Sequence, residues 1–360
     1  MFDSAIQLQP GATGGAGASA TRNRLINGQF DIWQRDTSFS GTTGPNGDYT
    51  ADRWNVGGGD DGGVRTMNVN RAAFLSDQQE VPFSPQFYAR IQTFATGGSG
   101  SEAGAFVQRI ETGPHLFNGQ KATASFWARS NSVGPHTIAV GLRQLFGTGG
   151  SSTIAFGGQE ITLTQTWTFY SLTFDVLSIA GKNVVFGGAQ APSLRLRFIT
   201  QVGALVTVQN GVPNPLDFQD ELWLTNVQFE SGDTASSYED RFVGDELALC
   251  QRYYQQSYDE GVAAGTPSAA GRINWEANGG TGERSENFAT IMRVAPTVSL
   301  FGFVAGVSGV ADKTQGAPAT TIITTTSSSK RGFTWDYGFT GNAVDFFIYA
   351  HQFTADAEIG

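Results

Sequence analysis

The residues of this chain best suited to chemistry are aromatic rings flanked by Asp and Asn, and they are densest in RGFTWDYGFTGN, residues 331–342. A sugar ring lays its apolar face on an aromatic side chain, and its hydroxyls need neighbours that both donate and accept. Trp335 and Tyr337 alternate onto one face of the strand this run would form, with Asp336 and Asn342 close in sequence. Trp275, between Asn274 and Glu276, repeats the combination. These five, Trp335, Asp336, Tyr337, Asn342 and Trp275, are the predicted carbohydrate-binding residues, although aromatics at a period of two are also how a strand fills a core. Hard oxygen ligands suit one ion: Asp31, Asp48 and Glu230 lie in segments that converge at one edge of the expected sandwich and are the calcium candidates. No other cofactor is expected.

Catalytic patterns are missing at the level of sequence. His115, His136 and His351 lie in separate segments without metal-ligand spacing, and neither Gly-x-Ser-x-Gly nor a phosphate-cradling glycine loop occurs. No carboxylate pair is positioned for glycoside hydrolysis. Cys250 is the single cysteine and fits an apolar helix stripe, so it reads as a small core residue. The chain is therefore expected to bind rather than to catalyse.

The elements that must carry these residues are strands. The 360 residues include 47 Gly and 27 Phe while only 15% are charged, which favours an all-β chain of short strands and glycine turns. Residues 1–22 are rich in Gly and Ala and cannot build a core; Phe2, Ile6 and Leu8 would anchor them as an extended peptide. Order begins at NRLINGQFDIWQR with an Asn27-Gly28 turn signal, and period-two runs follow in KATASFWAR, TWTFYSLTFDV and LRLRFIT. A jelly-roll sandwich is assigned to residues 23–243, closed by a last strand in which Trp223, Val227 and Phe229 share a face. Trp33, Trp54, Trp127, Trp167 and Trp223 fall in apolar patterns and are assigned to the core. Leu247, Cys250 and Tyr254 then predict a helix over Asp245 to Tyr258, opening a smaller C-terminal β domain, 244–360. Its strands are expected in RINWE, NFATIMRV, PTVSLFGFV, ATTIITTTSSS, RGFTWDY and VDFFIYAHQF. Part of its apolar surface is expected to need other copies of the chain, threefold assembly being favoured and fivefold compatible.

A net charge of −10 argues against a phosphate-tracking surface, and thus against nucleic acid. The N-terminus has neither the basic nor the apolar part of a secretion signal, and no window approaches the roughly 18 apolar residues of a membrane span. Synthesis in the cytosol without membrane insertion is expected.

The strings NRLINGQFDIWQR with TADRW, NVQFESGDTASSYEDR, ELALCQRYYQQSY, MRVAPTV and FTADAEIG, in this order, resemble tailed-phage structural proteins. Such proteins are described as tail fibres or receptor-binding proteins, with relatives in phage-derived particles such as gene transfer agents. The likeness runs from about residue 23 to the end. The front portion also resembles the jelly-roll carbohydrate-binding domains that accompany glycan-acting enzymes, which start on a similar N-x-x-x-N-G-x-F strand and close on an acidic residue before a polar turn, here Phe229-Glu230-Ser231-Gly232. These resemblances imply an appendage of a virion or virion-like particle, a tail fibre or head spike, that adsorbs to bacterial surface polysaccharide. Residues 1–22 lie outside the likeness; their glycine-rich, core-less composition beside a sharply defined first strand leads to the expectation that they join the appendage to other virion proteins. A capsule depolymerase or deacetylase and a purely architectural decoration protein are the alternatives.

Overall fold

The computed structural model describes residues 22–42, 48–57, 66–94, 100–101, 103–186, 190–277, 280–314, 320–338 and 347–359. They are nearly all β, and the chain divides into two units at Phe242 and Val243, with two exchanges. Ile32–Thr37, which the sequence reading places in the first body, belongs to the second, and Ile359 belongs to the first.

The first unit is a jelly-roll sandwich of two antiparallel sheets. In chain order its elements are β1 (Ser38–Thr42), β2 (Asp48–Tyr49), β3 (Trp54–Gly57), β4 (Met67–Ala73), β5 (Phe87–Thr93) and β6 (Ala103–Glu111). After the short helix α1 (Gly113–Leu116) come β7 (Lys121–Ser130), β8 (His136–Leu145), β9 (Ile154–Leu163), β10 (Thr168–Asp175) and β11 (Ser193–Val202). Helix α2 (Thr207–Asn210), β12 (Leu216–Asp217) and β13 (Glu221–Ser231) complete it. One sheet runs β1, β4, β5, β13, β7, β10; the other runs β2, β3, β6, β11, β8, β9, with β12 beside β11. The alternation of Ala122, Ala124 and Phe126 with Thr123, Ser125 and Trp127 sends the first set inward, where Phe126 meets Phe198 of the facing sheet edge-on at 4.9 Å.

The NRLINGQF segment is a structural clasp. Asn23 Oδ1 accepts from the N–H groups of Leu25 and Phe229, and the Val227 N–H donates to the Gly28 carbonyl. A Cβ on Gly28 would stand 2.2 Å from the Val227 oxygen, so only glycine fits there.

The two sheets differ on their outer faces. On the second sheet, residues 203–218 fold back over β6, β8 and β11, burying Val206, Val212 and Leu216 against Val107, Ala139 and Ile199. The Arg197 guanidinium donates to the Asn210 carbonyl and side-chain oxygens at 3.1 and 2.6 Å, and Arg143 donates to the Gln209 carbonyl at 3.1 Å. Arg197 is thus buried under this cover, and Arg195, two residues back on the same face, is buried as well.

The second unit opens with α3 (Val243–Gln251) and continues as β14 (Tyr254–Gln256), β15 (Ile273–Ala277), β16 (Thr281–Asn287), β17 (Thr297–Gly302), β18 (Val310–Lys313), β19 (Thr320–Ser328), β20 (Gly332–Gly338) and β21 (Phe347–Asp356). The sheet order is β14, β21, β18, β19, β20, β16, and β15 and β17 also pair with β21. The helix stops at Gln251, short of the predicted Tyr258, because Tyr254–Gln256 pair with Thr354–Asp356 of β21; the ladder overrides the helical spacing. Cys250 is fully buried, as its place in the stripe required. Most of NFATIMRV is irregular: β16 ends at Asn287, and the Met292 N–H donates to the Lys330 carbonyl instead of to a ladder.

Candidate functional site

The residues predicted to hold a sugar fall mostly inside the C-terminal core. Trp335 is fully buried, edge-on to Trp275 at 5.0 Å and to His351 at 4.5 Å, so no face of it is open to a pyranose. Trp275 is 7% exposed and stacks on Tyr349 at 5.3 Å. Tyr337 is half-buried over the backbone of Gly282, where an added Cβ would lie 2.5 Å from its hydroxyl, and Asp336 is exposed on the opposite face. Asn342 lies outside the described residues. The period-two aromatics at the chain end thus fill a core.

The calcium candidates are not gathered. Among the described residues no group of three or more His, Cys, Asp or Glu is arranged to hold a metal ion. Glu230 instead accepts from Gln228 Nε2, Ser236 N and Ser236 Oγ at 2.8, 2.8 and 2.7 Å, which fixes the polar turn after β13.

A different aromatic patch forms on the outer face of the first sheet. Trp223 of β13 lies opposite Arg90 of β5 and Arg129 of β7, so the three side chains share one row and one face. Two residues back along β5 is Tyr88, stacked on Trp223 with centroids 5.0 Å apart. Phe74, just beyond β4, and Trp167, just before β10, close the group: Phe74 to Tyr88 is 4.8 Å, Phe74 to Trp167 5.2 Å, and Trp167 to Tyr88 5.4 Å edge-on. Trp127 and Phe169 extend the same face, 5.8 Å apart. Phe74, Trp167, Trp223 and Phe169 are half-buried, whereas Tyr88 and Trp127 are buried beneath them.

Charges order this patch. Glu221 Oε1 and Oε2 accept a forked pair of bonds from Arg90, and Oε2 also accepts the Trp223 Nε1–H at 2.9 Å. The bonds to Glu221 raise the Arg90 pKa. The Arg129 guanidinium sits 4.5 Å from the Trp223 ring centroid, a cation–π contact. Burial raises the Tyr88 phenol, and the nearby charges of Arg90 and Arg129 partly oppose the rise.

The neighbouring turn, Asn131–Pro135, is tied down by Asp220. Its Oδ2 accepts from the Ser132 N–H at 3.0 Å and lies 3.5 Å from His136 Nε2. Burial alone would raise this carboxyl, but the bonds from Ser132 and the Glu221 N–H and the His136 charge leave it lowered. Ser132 Oγ is 3.2 Å from the same His136 nitrogen. A nucleophile relay needs the acid and the hydroxyl on opposite ring nitrogens, so this trio clamps a turn and does not activate the serine. The turn, with Thr162 to Gln165, lines a recess of about 330 Å³ beside the segment that presents Trp167.

Sequence reasoning assigned Trp167 and Trp223 to the core. For Trp223 the cause is a bulge in β13: Thr225 faces Trp127 and Gln228 faces Ser125, so three residues of β13 span two of β7, with Asn226 at φ 50°. The extra residue reverses the alternation, turning Trp223 outward while Val227 and Phe229 stay inside. The usable signal lay in the polar companions, since Arg90, Arg129 and Glu221 are placed to follow Trp223 onto a wet face.

No protein-family model and no curated protein matches the chain. Solved structures with a similar arrangement include the CBM22-1 xylan-binding domain of Paenibacillus barcinonensis Xyn10C, 10% identical over 56% of this chain and 99% of that one, with a TM-score of 0.30. Others are a family 11 carbohydrate-binding module from a Clostridium thermocellum cellulosomal cellulase (11% identical, 53% and 95% covered, TM-score 0.28) and the N-terminal cellulose-binding domain of Cellulomonas fimi β-1,4-glucanase C (13%, 46% and 90%, 0.28). These are distant likenesses, and neither ligand nor role passes from those proteins to this chain.

Proposed function

We propose that the chain is a non-enzymatic glycan-binding protein whose binding surface is the outer face of the first sheet. The observation that carries this reading is the half-buried ring cluster of Trp223 on β13 with Phe74 and Trp167 at the ends of β4 and β10, set among Arg129, Arg90 and Glu221. Flat apolar rings with fixed bidirectional hydrogen-bonding neighbours are what a pyranose requires, and a sheet holds them with little loss of side-chain freedom on binding. On the second sheet the matching outer position over β6, β8 and β11 is taken by Val206, Val212 and Leu216 of residues 203–218.

The ordered strings from NRLINGQF to FTADAEIG support placing this protein on a virion or virion-like particle, as an appendage that adsorbs to bacterial surface polysaccharide through this face. Residues 1–22 would attach it to other virion proteins, and several copies in one oligomer would turn weak single-site contacts into adsorption. The test is retention of the full chain on immobilised bacterial surface polysaccharides, with Trp167→Ala beside it. Retention that falls in the variant while the melting temperature holds is expected; an unretained wild type across capsular and lipopolysaccharide glycans would overturn the reading.

A further inference from the structure

We infer that the glycan this face takes is acidic, and that Arg129 receives its carboxylate. The inference rests on the glycan-binding reading above and adds the chemical class of the ligand. The two arginines beside Trp223 are at the same register and are used differently. Arg90 is neutralised by Glu221 through a fork of 2.7–3.1 Å bonds, so that pair contributes no net charge. Among the described residues Arg129 has no carboxylate within ion-pair distance; its Nε donates to the Ser130 carbonyl at 3.3 Å and its guanidinium lies over the Trp223 ring.

A half-buried guanidinium loses hydration, and a cation–π contact at a site open to water returns only part of it. A chain of net charge −10 has acidic residues to spare, yet among the described residues the carboxylate in contact with this ring cluster, Glu221, is committed to Arg90 and the Trp223 N–H. The face therefore holds one positive charge in excess beside its rings. A planar guanidinium matches a carboxylate in two parallel bonds, which a sugar hydroxyl cannot reproduce. A hexuronate or another carboxylated sugar, with its ring against Trp167 and its carboxylate at Arg129, uses both features.

The probes are polygalacturonate, alginate, hyaluronate and polysialate, each paired with its carboxyl-reduced form, in which the acid has become a neutral alcohol on an otherwise unchanged backbone. Binding of the full chain is followed by tryptophan fluorescence and by retention on the immobilised polymers. At least one acidic polymer is expected to bind about tenfold or more tighter than its reduced form, with the advantage shrinking in salt. Arg129→Gln should abolish that advantage without lowering the melting temperature, and Arg129→Lys should keep part of it. Equal binding of the acidic and reduced forms, or an advantage that survives Arg129→Gln, overturns the acidic class and leaves the glycan-binding reading standing. Retention of none of these polymers, acidic or reduced, overturns this inference, and the wider reading then stands or falls on the bacterial surface polysaccharides of its own test.

Discussion

Glu221 holds the Trp223 indole from within the same strand, its Oε2 accepting the ring N–H at 2.9 Å while its two oxygens clamp Arg90. The carboxylate is 13% exposed and the guanidinium 40%, so the ion pair is partly screened by water. Glu221→Gln keeps the shape and removes the charge. We expect a loss of about 1 kcal/mol, a melting shift of a few degrees, and a red-shifted tryptophan emission as Trp223 loosens. An unchanged melt and spectrum would mean that packing alone fixes the ring.

Trp167 and Trp335 separate binding from folding. Trp335→Ala empties a fully buried site and should cost about 3–5 kcal/mol, seen as early unfolding of the C-terminal unit. Trp167→Ala removes a half-buried ring and should leave that transition in place, while weakening single-site glycan binding by about 2–10-fold, the size of one stacking contact. The reverse result, a folded Trp335→Ala that no longer binds, would return the site to the C-terminal strand.

His351 should make the C-terminal unit sensitive to acid. It is fully buried against Trp335, neither ring nitrogen has a hydrogen-bond partner among the described residues, and burial pushes its pKa down to about 4 from 6.5. The unfolded chain binds the proton more readily, so this group's contribution to stability is complete above about pH 6.5 and is lost as pH falls through about 4. The fall from 6.5 to about 4 corresponds to about 3 kcal/mol. Melts of the wild type between pH 7 and 4 should show the C-terminal transition falling, and His351→Phe should flatten that dependence. An equal fall in the variant would assign the acid sensitivity to carboxylates.

The sandwich was legible because its strands obey the period-two rule over long runs: Ala122 to Ala128 and Leu194 to Phe198 point as their alternation requires. The candidate site was not, for two physical reasons. Alternating Trp335 and Tyr337 satisfy the pattern of a core strand and of a binding face equally, and only the burial supplied by distant β15 and β21 separates the two. Trp167 lies just before β10 at the sheet edge, and its meeting with Phe74 joins residues 93 positions apart, which no local pattern encodes. The helix overran for a related reason, since Tyr254 continues the stripe and yet pairs with Asp356.

The bulge at Asn226 allows one strand to serve both the core and the outer aromatic face, and this can be tested at a single position. Upstream of it Leu222 and Leu224 point inward and Trp223 outward; downstream Val227 and Phe229 point inward. Without the extra residue one of these sets must reverse, placing either Trp223 in the core or Val227 and Phe229 in water. Asn226 also holds the turn in place, accepting from Gln29 Nε2 at 3.0 Å and donating to the Pro82 carbonyl at 2.9 Å. Asn226→Gly keeps the left-handed backbone and loses only those bonds, for about 1–3 kcal/mol. Asn226→Ala adds about 1–2 kcal/mol of strain at φ 50°. Deleting Asn226 should be far worse than either, because every side chain on one side of the cut changes face. Denaturant titration should therefore rank stability as wild type, Gly, Ala, deletion, with glycan binding kept in the Gly variant. A deletion variant that unfolds at the same denaturant concentration as Asn226→Gly would show that the strand re-registers freely, and that the outward position of Trp223 is not fixed by the bulge.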